Sequence, residues 1–245
     1  MILFRIGIIP LFATLSQVAI DLVVCAATEL EGSLLRPYVP VLYTGVGAVN
    51  AAYTLTRFLE REKARAVIVC GIAGAYPRAF SEGNLGIGSV ICAESECYGD
   101  LGAQSASGFL DMQALGFPLI AAVDPIYNVL PMQIFPAPRR CRFVTVNTCS
   151  GSDENALQLE ARTGGAVESM EGAAVAHVAT LFGIPAGEIR GISNRAGNRD
   201  RSTWRVKEAA VAAQEALLAW MLSAKQADAR AGRNVFAAPP GECAP

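Results

Sequence analysis

The stretch AVESMEGAAVAHVATLFGIPAGEIRGISNRAGNRDRSTW, residues 166–204, contains a strand, a helix and a second strand in succession. The helix is predicted over Glu171–Phe182, with the strand GGAVES before it and the strand GEIRGIS after it. Each strand ends on polar residues, Glu168–Ser169 and Ser193–Asn194, where further burial would favour aliphatic ones. The pattern predicts an α/β fold that gathers polar groups at the carboxyl ends of its strands.

The same alternation continues on both sides of this stretch. Further strands are predicted for the apolar runs DLVVCAA, YVPVLYTGVG, ARAVIVCGIAGAY, GSVICAES and CRFVTVNTCS. Further helices are predicted near residues 50–62, 152–163 and 203–224. Strands that read as near-continuous apolar runs are usually covered on both faces. We therefore expect a three-layer helix/sheet/helix sandwich.

Length and composition predict a single domain between an N-terminal extension and a tail. The chain has 245 residues, enough for one large core, and no internal repeat or long linker divides it. Residues 1–20 include a short apolar run without an A-x-A-like cleavage site, so we favour an N-terminal extension over an export signal. Residues 225–245 are rich in Ala, Gly and Pro and are predicted to form a disordered tail.

Charge and ligand chemistry restrict the possible partners. Twenty basic and 22 acidic residues give a net charge of −2, which does not predict a nucleic-acid surface. Seven cysteines without a C-x-x-C motif, and one histidine, do not predict a metal site, and we interpret the cysteines as reduced thiols of a cytoplasmic protein. No nucleotide-phosphate motif is present. We expect a small-molecule substrate, and no cofactor, metal or membrane partner.

Two features near the first strands are candidates for chemistry. Glu29 and Glu31 follow the strand DLVVCAA, where a carboxylate can act as a general base on water. They can equally be solvated charges of a helix's first turn. The run CGIAGAY ends a strand on glycines, so backbone amides near Ala73 and Gly74 can approach a ligand closely.

The later strand ends offer a second set of candidates. Glu171 begins the helix of VESMEGAAVAHV, and a carboxylate fixed there suits the two hydroxyls of a ribose, with Met170 as an adaptable apolar surface beside it. The alternative is a first-turn charge and a core methionine. Ser193 and Asn194 present an amide that can match N7 and O6 of a purine. The single histidine, His177, lies on an apolar helix and is expected to be packed.

In this order, GIAG, VESMEG and R-x-I-S-[N/D] resemble the nucleoside phosphorylase/hydrolase superfamily over about residues 21–224. Within it the chain is similar to the futalosine hydrolase family, which shares A-x-T-x-x-E, YGDLGA, VESMEGAAVAHV and ISN followed by NRDRSTW. The resemblance implies a three-layer sandwich around a mixed twisted sheet. It also implies a homo-oligomer, a dimer or larger.

Two departures from related families define the activity that the resemblance implies. Methylthioadenosine/S-adenosylhomocysteine nucleosidases, the alternative reading, have Asp where this chain has Asn194. A neutral amide suits a 6-oxopurine such as hypoxanthine, whereas an aspartic acid suits adenine. Phosphorylases carry phosphate-binding residues where this chain has CAATELEG and Cys70. The resemblance therefore implies hydrolysis of futalosine to hypoxanthine, with water as the nucleophile.

Site roles follow from the same resemblance. Glu31 activates the water, Glu171 holds the ribose hydroxyls and Asn194 stabilises the departing base. The irregular segment 98–138 is too long for a simple connection and is interpreted as a functional loop. We expect it to supply an apolar wall for the carboxyphenyl end of futalosine. The candidates for that wall are Phe109 and Phe117. One arginine of the 195–205 loop is expected to meet the carboxylate, and the candidates are Arg195, Arg199, Arg201 and Arg205.

Overall fold

The structure, a computed structural model, describes residues 21–82 and 85–231. The helices are α1 (Glu29–Gly32), α2 (Ala48–Leu59), α3 (Pro77–Ser81), α4 (Met112–Leu115), α5 (Asp153–Thr163), α6 (Gly172–Leu181) and α7 (Val206–Ala231). The strands are β1 (Val23–Ala26), β2 (Val41–Tyr43), β3 (Val67–Ala75), β4 (Val90–Tyr98), β5 (Ala103–Ser105), β6 (Gly108–Leu110), β7 (Val129–Pro131), β8 (Arg140–Thr145), β9 (Val167–Ser169) and β10 (Ala186–Arg195). The chain is α/β, as predicted.

Eight strands form one mixed sheet with the order β10-β4-β8-β9-β3-β1-β2, and β7 pairs with β4. Strand β10 also pairs with β3, so β3, β10, β4, β8 and β9 form a closed ring of pairings. The register shifts in β10, between Ile192 and Asn194, and in β4, between Ala93 and Ser95, account for the curvature, because a bulge bends its strand and increases its twist.

Alternate residues of β1 and β3 pack into two different hydrophobic clusters. Val23 of β1 and Val67 of β3 belong to a cluster that includes Val175 of α6. Ile68, the next residue of β3, belongs to a second cluster that includes Leu217 of α7. Since successive side chains of a strand point to opposite faces, α6 and α7 cover opposite sides of β3.

The segment 98–138 has more regular structure than its composition suggested. It contains the hairpin β5–β6, the short helix α4 and strand β7. Helix α7 also continues through Ala231, past the predicted helix end at residue 224 and into the predicted tail. The expectations for residues 1–20 and 232–245 lie outside the described residues. None of the helices in residues 21–82 and 85–231 is long and apolar enough to cross a bilayer.

Candidate active site

A cavity of about 360 Å³ lies at the carboxyl ends of β1, β3 and β10. These strands are parallel neighbours, so their ends meet at one edge of the sheet, where α/β folds bind ligands. Eight residues singled out in the sequence line this cavity: Glu31, Ala73, Gly74, Met170, Glu171, Ser193, Asn194 and Arg195.

Glu31 is held in the cavity wall by three hydrogen bonds. Its Oε1 accepts from the Ile72 amide at 3.0 Å, and its Oε2 accepts from the amide and hydroxyl of Thr28 at 3.1 and 2.8 Å. The residue is only 5% exposed. Glu29 points away, since it is exposed and lies 4.0 Å from Arg36. The geometry therefore selects Glu31 over Glu29 as the carboxylate of the cavity.

Glu171 precedes α6 and is buried and fixed at both oxygens. Its Oε1 accepts from the Gly47 amide at 3.0 Å, and its Oε2 lies 3.2 Å from Nη2 of Arg190. Gly47 has a φ of 99°, a left-handed conformation that favours glycine and turns its amide toward the carboxylate. A carboxylate oxygen can accept a second hydrogen bond, so Glu171 retains acceptor capacity toward a ligand in the cavity.

Arg190, which the sequence reasoning did not single out, lies under both carboxylates. It is 1% exposed, and its Nε and Nη1 donate to Glu188 at 2.7 Å and to the Ile72 carbonyl at 3.2 Å. Burial opposes its charge, but the neighbouring carboxylates outweigh burial and raise the pKa of Arg190. The available signal was an arginine two residues after a glutamate in the strand GEIRGIS, a pair of opposite charges in a strand predicted to be buried.

The groups around Gly71, in the glycine-rich part of β3, explain why this residue is a glycine. A Cβ at this position would lie 2.5 Å from Nη1 of Arg190 and 2.6 Å from Oε1 of Glu31. Both distances are shorter than a side-chain contact allows. A residue without a side chain is therefore required where the guanidinium and the carboxylate approach the strand.

Ser193 and Asn194 both face the cavity because Ser193 is the extra residue of the bulge in β10. The Ser193 hydroxyl lies 2.7 Å from Asn194 Oδ1, and Asn194 Nδ2 donates to the Arg195 carbonyl at 3.0 Å. The hydroxyl thereby fixes Oδ1 as the acceptor side of the amide. One amide hydrogen of Nδ2 has no partner in these two bonds and remains for a ligand.

Arg195 reaches the cavity but is already engaged. Its guanidinium lies 2.6 and 3.1 Å from the two carboxylate oxygens of Asp153 and holds the pKa of Asp153 below its ordinary value. The expected role of Arg195 with a substrate carboxylate is therefore disfavoured. Arg199 and Trp204 also line the cavity, and the Arg199 guanidinium carbon lies 5.2 Å from the centre of the Trp204 ring.

Phe109 and Phe117 do not line this cavity. Phe109 packs 3.8 Å beneath the guanidinium of Arg162, in a neighbouring pocket of about 540 Å³ that shares Cys149 and Ser150 with the cavity. Phe117 is 63% exposed. Both residues lie on the 98–138 segment, and no residue of that segment lines the cavity.

Glu168 and His177 have structural partners. Glu168 accepts from the Ser150 hydroxyl at 2.6 Å, and burial raises its pKa. His177 lies 2.9 Å from the Leu119 carbonyl and 3.4 Å from the Tyr98 hydroxyl, away from the cavity lining. In the described residues no group of three or more His, Cys, Asp or Glu side chains is arranged to hold a metal ion.

Comparison with known proteins matches residues 28–224 to the model of the phosphorylase superfamily. The chain is 34% identical over 177 residues to the futalosine hydrolase of Thermus thermophilus, covering 69% of this chain and 74% of that one. It is 38% identical over 172 residues to the futalosine hydrolase of Acidothermus cellulolyticus, covering 68% of each. The native structure of futalosine hydrolase from Helicobacter pylori has a similar fold, with a TM-score of 0.68 at 16% identity over 84% of this chain and 98% of that one.

Proposed function

Since this chain belongs to the phosphorylase superfamily, we propose from its curated relatives and its cavity that it is a futalosine hydrolase. It cleaves the N-glycosidic bond of futalosine with water, releasing hypoxanthine, in the alternative pathway of menaquinone biosynthesis. One observation carries the proposal: Glu31, Glu171 and Asn194, which lie far apart in the chain, line one cavity. They provide a base, a diol acceptor and an amide donor.

The nucleophile is water, and the charge of the cavity supports this choice. Glu31, Glu168 and Glu171 all line it, and a phosphate dianion beside three carboxyl groups would be repelled. Arg190, the guanidinium beneath them, already uses Nε, Nη1 and Nη2 on protein acceptors. Arg190 is thus buried and engaged with protein acceptors, which disfavours it as a phosphate-binding cation of the kind that a phosphorylase uses.

Glu31 orients the attacking water and accepts its proton. The Ile72 amide and Thr28 keep the carboxylate in place, and Oε1, which accepts only from Ile72, can accept one further hydrogen bond. As the water oxygen bonds to C1′ of the ribose, the C1′–N9 bond breaks and the water proton passes to Glu31. The ribose carries positive charge in the transition state, which the neighbouring carboxylates stabilise.

Glu171 and Asn194 hold the two ends of the bond that breaks. The free acceptor capacity of Glu171 takes the 2′- and 3′-hydroxyls, with Met170 against the sugar. The remaining Nδ2 hydrogen of Asn194 donates to N7 or O6 of hypoxanthine. An amide cannot supply a full proton, so the base leaves as an anion stabilised by hydrogen bonding or takes its proton from solvent.

The carboxyphenyl end of futalosine fits Trp204, in place of the expected Phe109 and Phe117, and Arg199 is the arginine of the 195–205 loop that lies beside it. Trp204 offers an aromatic face in the cavity, and Arg199 lies beside that face. No ion pair of Arg199 with a carboxylate is formed among the described residues, in contrast to Arg195 with Asp153. A benzoate group can therefore stack on the indole and pair with the guanidinium.

The test is purine release in phosphate-free buffer from futalosine, inosine and methylthioadenosine, followed by chromatography. We expect hypoxanthine from futalosine in preference to the other two. Adenine from methylthioadenosine would instead support a methylthioadenosine/S-adenosylhomocysteine nucleosidase. Turnover that requires added phosphate would support a phosphorylase.

The proposal includes a cytoplasmic homo-oligomer of two or more copies. Six cysteines of the described residues are free thiols, which are typical of a reducing compartment. Helix α2 presents Val49, 79% exposed, and Tyr53, 63% exposed, close in sequence to Val46 of the cavity lining. Exposed apolar side chains on one helix favour an interface between copies. We interpret the core clusters that contain Val175 of α6 and Leu217 of α7 as the interfaces of a three-layer helix/sheet/helix sandwich.

A further inference from the structure

Two carboxyl groups lie buried beneath the proposed active site. Glu96 of β4 and Glu188 of β10 are both 0% exposed. An added Cβ at Gly172, the first residue of α6, would overlap Oε1 of Glu96 and Oε2 of Glu188 at once. Both oxygens lie within the volume that this one methyl group would fill. They are therefore close enough to each other to share one hydrogen bond.

These two facing oxygens have no hydrogen-bond donor in the described residues. Two ionised carboxylates in contact would repel each other in a medium of low dielectric, and each would keep an unsatisfied acceptor. A single proton between them removes the repulsion and gives both oxygens a partner. The arrangement therefore requires one neutral carboxyl group.

The other contacts of the pair indicate which group is neutral. Oε1 of Glu188 accepts from Nε of Arg190 at 2.7 Å, a charge-assisted bond that favours an ionised Glu188. Oε2 of Glu96 accepts only from neutral donors, the Thr145 hydroxyl and the Cys97 amide, both at 3.1 Å. Burial, and next the charge of Glu188, raise the pKa of Glu96 well above its ordinary value.

The groups around the pair do not supply a second positive charge. Arg190 is the only cation that forms an ion pair with either carboxyl in the described part of the chain, and it also serves Glu171. The first turn of α6 packs against the pair, and there the Ala173 amide donates to Thr145 Oγ1 at 2.7 Å. The other titratable groups facing the pair have raised pKa values and are neutral near pH 7: Tyr76, Cys92, Cys97, Tyr98 and Cys141.

We propose that Glu96 and Glu188 share one proton, held on Glu96, and that the single charge left on Glu188 positions Arg190 and, through it, Glu171. Arg190 then connects the two carboxylates, because its Nε donates to Glu188 while its Nη2 donates to Glu171, the carboxylate that meets the ribose. The positioning part rests on the function proposed above. The shared proton does not, because it concerns the folded protein without substrate.

The first experiment measures the proton through stability. In the unfolded chain Glu96 ionises above pH 4.5, its ordinary value, whereas in the folded protein it stays protonated. The wild-type protein therefore loses stability as pH rises above 4.5, until the folded-state pKa is reached. Glu96→Gln mimics the protonated group and removes this loss. We expect its folding equilibrium constant, relative to wild type, to rise about tenfold per pH unit from about pH 5 up to the folded-state pKa of Glu96 in urea unfolding.

The matched control is Glu94→Gln, on the same strand but exposed. Its stability relative to wild type should not change with pH. A Glu96→Gln variant whose relative stability is equally flat between pH 5 and 8 would overturn the shared proton. Glutamine has the shape of a protonated glutamic acid, so this variant is expected to fold.

The second experiment compares futalosine hydrolysis by Glu96→Gln and Glu188→Gln. The first substitution leaves Glu188 charged, so kcat/KM should remain within about threefold of wild type. The second removes the anchor of Arg190, so kcat/KM should fall by up to about 100-fold, as small displacements of reacting groups can cause. Equal losses in the two variants would overturn the positioning role. A wild-type enzyme that does not release hypoxanthine would overturn the proposed function, while the unfolding measurement would still decide the proton.

Discussion

At the scale of single residues, the cavity separates side chains that have the same chemistry. Glu29 and Glu31 are two residues apart, yet only Glu31 turns inward to meet Thr28 and the Ile72 amide. Arg195 and Arg199 line the same cavity, yet Arg195 is paired with Asp153. Which member of each pair is available to a ligand is thus decided by its partners.

Glu31→Gln should reduce kcat for futalosine by about 10²- to 10⁴-fold, because the amide cannot accept the proton of the attacking water. Glu29→Gln should leave kcat unchanged, since Glu29 is exposed and outside the cavity. Steady-state rates of hypoxanthine release measure both. Loss of turnover in the Glu29 variant alone would assign the base to Glu29.

Asn194→Asp should change the preference for the base. The carboxylate repels O6 of hypoxanthine and suits the amino group of adenine, so hypoxanthine release from futalosine should fall by about 10- to 100-fold. Adenine release from methylthioadenosine should increase relative to wild type. Chromatography of both reactions measures the ratio, and an unchanged ratio would mean that Asn194 does not select the base.

Arg199→Ala should raise KM for futalosine by about tenfold, the loss of one charge-assisted interaction. Hydrolysis of inosine, which has no carboxyphenyl group, should be unaffected. Arg201→Ala is the matched control, because Arg201 also lies near the Trp204 ring, at 6.0 Å, but does not line the cavity. An equal effect of Arg199→Ala on inosine would argue against the carboxylate role.

At the scale of elements, strands β3 and β10 do most to build the site. Their parallel register is interrupted once, at Ser193, and the bulge turns two successive side chains into the cavity. A regular strand would point one of them to the opposite face. On β3, Gly71 and Gly74 have no side chains, so Glu31, Arg190 and Asn194 can approach the backbone closely.

Gly71→Ala tests this close approach. The added methyl group would collide with Glu31 and Arg190 and should cost about 1–3 kcal/mol of stability together with most of the activity. Gly86→Ala is the control, because nothing lies within 4 Å of a Cβ there. Thermal unfolding and hydrolysis assays report the two effects, and wild-type behaviour of Gly71→Ala would show that the carboxylate and guanidinium can move aside.

At the scale of the whole molecule, the exposed apolar side chains of α2 bear on assembly. Val49→Asp combined with Tyr53→Glu should shift a wild-type oligomer toward monomer, because charges would be buried at the interface. Leu222→Asp, on α7 and 53% exposed, should leave the oligomer intact. Light scattering after size-exclusion chromatography measures both. A wild-type monomer would contradict the proposed assembly.

Sequence reasoning predicted most of the elements and the main cavity residues, since both are local properties. Apolar runs and helical periods predicted β1, β3, β8, α5 and α6 close to their observed bounds. It failed in the segment 98–138, where the short β5–β6 hairpin and α4 are too brief for a periodic signal. Phe109 and Phe117 were chosen there for their chemistry, and their chemistry does not determine where the segment packs.

The amino-acid sequence by itself determined the α/β pattern and the polar ends of its strands, because strand and helix periods are written in neighbouring residues. Only the tertiary structure decided the closure of β3 with β10 and β4, the bulge at Ser193, and the contacts of Arg190 with Glu171 and Glu188. Whether a buried carboxyl or guanidinium is paired, shared or free depends on groups distant in the chain. Charge compensation is therefore a property of the folded arrangement.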